Sequence, residues 1–137
     1  MSSTMQVSGA VPVAPRSFVK LDPSGKQVAP TGAGDAVFGI SGQTAAQPGQ
    51  YVELSTGDFE LCSIIVDSSI DPKTPIRKGQ PLKSGPNGGA LPADFSRESI
   101  GAIATEDMDA PAAGKKITCR FLSVRAPAPV PVPKTEA

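Results

Sequence analysis

The sequence predicts an all-β protein: a small single-domain β-sandwich or barrel built from two similar β units, with an extended N-terminal arm and a proline-rich C-terminal tail. Three observations carry this expectation. Gly and Pro number 14 and 15 of 137 residues, about a fifth of the chain against about 12% in average usage, which disfavours long helices. Apolar residues come in runs of four to nine separated by turn chemistry, with no spacing of 3.6 over helical length. A pattern of strand, loop and strand also occurs twice.

Residues 1–16 are rich in Ser, Val, Pro and Ala. Pro12 and Pro15 fix φ and remove amide donors, so this stretch is expected to be an arm outside the core. An extended arm offers backbone groups for strand addition and side chains for pockets. Its apolar Met5, Val7, Val11 and Val13, with Phe18 just beyond, are therefore the candidate partner-binding residues. On that reading, deleting residues 1–15 leaves a folded core.

The β core is expected over residues 17–124. Ser17 to Leu21 is a strand closed by Asp22-Pro23-Ser24-Gly25, where Pro presets φ and Gly accepts positive φ. Lys26 to Ala29 returns as its partner. AVFGIS (36–41) precedes a Gln-Pro-Gly turn, after which Val52 and Leu54 share one face of a half-buried strand. FELCSIIV (59–66) is apolar on both parities, as a central strand is, and this surplus also motivates self-association. Ile76 to Leu82 and the turn SGPNGGA (84–90) belong to exposed edges. SIGAIA (99–104) and KITCRFLSV (116–124) complete the core. Residues 125–137, RAPAPVPVPKTEA, place Pro at every second position from 127 to 133 and predict a polyproline II tail.

Laying 36–54 over 99–122 matches Gly39 to Gly101 and Gly49 to Gly114, with three extra residues in the second copy. Both copies run from an apolar strand containing Gly, through a polar loop with Pro, to a Gly turn and an alternating strand.

Charge and composition narrow the function. Thirteen basic and thirteen acidic residues cancel, and no block of like charge offers a footprint for nucleic acid or an anionic membrane. The absence of His and Trp removes the usual general base near neutral pH and the commonest nitrogen ligand of zinc. Cys62 and Cys119 lie too far apart for a thiol redox motif or a zinc site and read as two buried free thiols. No apolar run reaches the 18 residues of a membrane span, and no secretion signal is visible at the start of the sequence. No catalytic residue, metal or cofactor is expected.

Three motifs invite chemistry and are weighed against plainer readings. Thr31-Gly32-Ala33-Gly34-Asp35 resembles the phosphate-anchoring signature of ribokinase-like sugar kinases, in which Asp35 would be the base. Such chemistry needs a helix N-terminus and a large preceding sheet. Only 30 residues precede the motif and Gly39 and Pro48 interrupt the helix, so a loop is the better reading. Glu106, Asp107 and Asp109 have the oxygen ligands calcium prefers but read as a solvated acidic turn. SGPNGGA lacks the Lys-Ser or Lys-Thr of a phosphate loop. A soluble module for a small molecule or glycan stays open as an alternative, although one Tyr and five Phe leave few aromatics for sugar stacking.

The order of AVFGIS, PGQYVEL, IRKGQPLKSGPNGGAL and SIGAIATEDMDAPAAGKKITCRFL, after the LDPSG turn, resembles capsid cement, or head decoration, proteins of tailed bacteriophages. The likeness spans residues 17–124. It implies a non-enzymatic virion protein on the outer capsid surface, assembled in the host cytoplasm. Its implied partners are the major capsid protein, whose neighbouring subunits it bridges, and itself as a homotrimer.

Overall fold

The computed structural model describes residues 2–125. The expected tail lies outside the described residues, except for Arg125. All regular elements among those described are strands: β1 (Ser2–Val7), β2 (Phe18–Leu21), β3 (Gln27–Pro30), β4 (Gly39–Ser41), β5 (Tyr51–Ser55), β6 (Leu61–Ile65), β7 (Pro81–Ser84), β8 (Ala90–Pro92), β9 (Ile100–Ala104) and β10 (Lys116–Val124). The all-β expectation holds.

The first five strands close into a barrel in the order β1-β3-β2-β4-β5, and the second five form a sheet in the order β6-β10-β9-β7-β8. The two orders are the same connectivity. β1 runs antiparallel to β5 with Met5 opposite Val52, as β6 does to β10 with Ile64 opposite Ile117. Val19 faces Pro30 where Leu82 faces Pro92, and Ile40 faces Ser55 where Ile103 faces Arg120. Parallel pairing of Val7 with Val28 closes the first barrel, and a single parallel bridge between Val66 and Ala90 stands at the same place in the second unit. Even the bridges outside the strands recur, Val13 with Ala46 and Ile76 with Met108.

The repeat legible in residues 36–54 and 99–122 is thus the second half of a longer duplication over 2–55 and 61–124. Gly49 and Gly114 match as expected. Their φ values are 86° and 79°, and their amides donate to Val7 O and Val66 O at 2.9 and 3.0 Å. The other glycine pair is displaced by one residue. Strand pairing sets Ile40 against Ile103, so Gly39 corresponds to Ala102 rather than to Gly101.

The expected boundary at residue 17 does not survive. The segment taken for an arm contains the strand that closes the first barrel, with five residues of β1 paired to β5. Met5 and Val7 alternate inward between polar Thr4 and Gln6, a period of two that buries one face. Pro12 and Pro15 sit in the loop after β1, where a missing donor interrupts no ladder.

Two apolar clusters lie among the described residues. Val7, Val13, Val19, Val28, Ala46, Val52 and Leu54 pack inside the first barrel, flanked by Met5 and Phe38. The second cluster joins Phe18, Val37 and Ile40 of the first unit to Ile64, Val66, Ile76, Leu82, Ile117, Cys119 and Phe121 of the second. Neighbours on β2 divide between them, Val19 turning into the barrel and Phe18 across the seam. Burying a side chain of that size contributes about 1.5–3 kcal/mol, and here the gain requires both units together.

Candidate interaction surface

The surface is built on a buried carboxylate. Asp67, immediately after the Val66 bridge, is 1% exposed. Its Oδ1 accepts the amides of Asn87 and Gly89, both at 3.0 Å, and its Oδ2 accepts the Ser69 amide at 3.0 Å and the Ser69 hydroxyl at 2.7 Å. Burial pushes this carboxyl up, but the Ser69 hydroxyl and the three amides outweigh it and hold the group below its ordinary value.

That anchor explains the glycine-rich turn between β7 and β8. A Cβ on Gly85 would lie 2.4 Å from Asp67 Cγ, and one on Gly89 would lie 2.4 Å from Asp67 Cα. Only glycine lets the loop wrap this closely. Pro86 and Asn87, at its tip, are then carried outward beside the loop that follows β1.

Beneath the two loops the units are laced together. Ser84 Oγ donates to Thr31 Oγ1 at 2.6 Å, Thr31 Oγ1 donates to Phe18 O at 3.2 Å, and the Phe18 amide donates to Gly88 O at 2.8 Å. Above them lie two adjoining hollows of about 420 and 250 Å³ that share Val11, Pro30, Thr31 and Pro86. The first adds Ala10 and Ala29, and the second adds Pro12 and Asn87. The shared rim is mostly apolar and carries rigid prolines from both units, which lose little conformational entropy on binding. A further hollow of about 480 Å³ is lined by Arg16, Gln43, Thr44, Tyr51 and Glu53 and is more polar.

Of the five sequence-predicted contact residues, this surface retains Val11, which is 59% exposed. Val7, Val13 and Phe18 are buried in the two clusters, and Met5 is half-buried against the barrel core. They hold the fold rather than a partner, because β1, the Val13 bridge and β2 all pair within the chain. Sequence reading missed Pro30, Pro86 and Asn87. Their signal was present in the glycines around Pro86, whose purpose is clear only beside Asp67.

The other motifs resolve into local structure. Asp35 accepts the Gly32 amide at 2.7 Å and the Lys20 ammonium at 3.0 Å, and these two bonds, the amide's first, hold its carboxyl below the ordinary value. No helix follows it, so the arrangement for phosphate transfer is absent here. In the acidic turn, Glu106 accepts the Thr118 amide, Asp107 accepts the Lys78 amide, and Asp109 pairs with Arg77. Elsewhere Phe59 and Leu61 are 57% and 58% exposed where β6 begins. They are the part of the doubly apolar run that the fold leaves uncovered.

No protein-family model matches the sequence, and no curated protein matches it. The structure is similar to the crystal structure of the head fiber gp8.5 N base in bacteriophage phi29, with a TM-score of 0.62 and 13% identity. The match covers 89% of this chain and 95% of that one. At this identity the likeness establishes a shared fold, and it takes in nearly the whole duplicated unit.

Proposed function

We propose that this protein is a non-enzymatic structural component of a bacteriophage particle, placed on the outer capsid surface, where it binds and bridges major capsid subunits. The observation that carries this reading is the fold shared with a phage head fiber base over 89% of the chain. The sequence supports the same reading through the resemblance of residues 17–124 to capsid cement proteins.

The proposed contact to the capsid is the apolar rim of Val11, Pro12, Pro30 and Pro86. Preformed, rigid contacts suit a protein present in many copies, because modest contacts multiply when two or more are engaged at once. Self-association, in the proposed homotrimer, would cover Phe59 and Leu61.

The test is to mix the purified protein with expanded phage heads that lack it, sediment them, and count bound copies while measuring resistance to heat. Saturation at a stoichiometry set by the shell's symmetry, with raised heat resistance, is the expected result. Absence of binding together with a monomer in solution would replace this reading with that of a module for a small ligand.

A further inference from the structure

We propose that Cys62 and Cys119 form a redox modification site, a dithiol that a small-molecule disulfide converts into a covalent staple between β6 and β10. The inference rests on these two strands and is independent of the proposed function.

Cys62 and Cys119 stand directly opposite each other in the antiparallel register. Both thiols are free, and their Sγ atoms are 3.6 Å apart. Opposite residues of such a pair send their side chains to the same face with Cα atoms about 4.5–5.5 Å apart, within the span that a disulfide bridges without backbone movement. Closing the sulfurs to about 2.05 Å needs only side-chain rotation.

The pair is also asymmetric in the way exchange requires. Cys62 is partly exposed and Cys119 is buried. The Cys119 thiol bonded to Cys62 is the main influence lowering the Cys62 pKa, while the same bond, then burial, raises that of Cys119. Cys62 is therefore the thiolate that attacks. Its sulfur takes one half of the reagent disulfide and releases the other half as a thiolate that picks up a proton. Cys119 then gives up its proton, bonds to Cys62 Sγ and expels the second reagent thiol. Two protein S–H bonds and one reagent S–S bond are exchanged for one protein S–S bond and two reagent thiols. Once Cys62 is in the mixed disulfide, its negative charge no longer opposes ionisation of Cys119.

The duplication shows that this pair is particular to one unit. The corresponding positions of the first barrel hold Ser3 and Leu54, again directly opposite. The stapled unit is the one closed by the single Val66 to Ala90 bridge. Fixing β6 to β10 would hold the strand that leads into that bridge.

The experiment equilibrates the purified full chain with excess oxidised glutathione and reads free thiols after denaturation, intact mass and Tm. The expected product has no free thiol, is about 2 Da lighter, stays a single chain on a non-reducing gel and melts about 5–15 °C higher. Reduced dithiothreitol restores the two thiols, the original mass and the original Tm. Cys62→Ser, at the more exposed position, keeps one thiol and shows no oxidant-dependent rise in Tm. Two thiols surviving in the wild-type chain, a lasting adduct with the reagent, a cross-linked dimer, or a disulfide form with unraised Tm would each overturn the proposal.

Discussion

Gly101 makes room for Phe18 across the seam between the two units. A Cβ on Gly101 of β9 would lie 2.6 Å from Phe18 Cε1 and 2.8 Å from Val37 Cγ2. The ring of one unit is thus seated on bare backbone of the other. Gly101→Ala overpacks this contact, and such changes cost about 1–3 kcal/mol. Chemical denaturation should show that loss in one cooperative transition, because the two units share the cluster around Phe18. Two separate transitions in the wild-type protein would contradict the shared core.

The matched turn glycines give a cleaner measure of backbone strain. Gly49 and Gly114 have φ of 86° and 79° with no atom within 4 Å of a built Cβ. Substituting Ala at either adds no clash, so the expected cost is conformational alone, about 1–2 kcal/mol at each position. Comparable losses at both sites, measured by urea denaturation, follow from the duplication, and a loss confined to one site would argue against equivalent turns.

Asp67 makes stability sensitive to acid. Its folded pKa lies below its ordinary value of 3.8, so the folded chain holds fewer protons there than the unfolded chain. The stabilisation it gives is complete above the unfolded pKa and is lost as pH falls through the lower folded one. Asp67→Asn turns an NH₂ group toward bonds that are all donated to the carboxylate, and should cost about 1–3 kcal/mol at neutral pH. The difference from wild type should shrink below about pH 4. Melting curves from neutral pH to pH 3 check this, and a constant difference would refute the account.

Val11 and Val7 separate binding from folding. Val11→Asp places charge on the exposed rim and should leave Tm within a few degrees while weakening capture by phage heads by about tenfold or more, a loss of some 1.4 kcal/mol. Val7→Asp places the same charge inside the barrel and should prevent folding. Deleting residues 2–7 should do the same, contrary to the expectation of a dispensable arm, because β5 and β3 lose the strand between them. A truncated chain with wild-type Tm would restore the arm.

The all-β class, nearly every strand after residue 17, and the turns at Gly25, Gly49 and Gly114 are legible along the chain. Each depends on local chemistry, on alternation of side chains and on residues that tolerate positive φ. The second half of each repeat was legible for the same reason. β1 was not, because Ser2–Val7 carries only two inward apolar residues before a proline-rich loop, and its strand character comes from β5, some 50 residues away. The burial of Val7, Val13 and Phe18, and the meeting of Val11 with Pro30 and Pro86 at the surface, come from long-range packing. Alternation says that one face of a strand is apolar, whereas the partner that covers it is set by long-range pairing. The rim likewise exists because Asp67 gathers a loop distant in sequence, and no spacing along the chain records that buried carboxylate's hydrogen bonds.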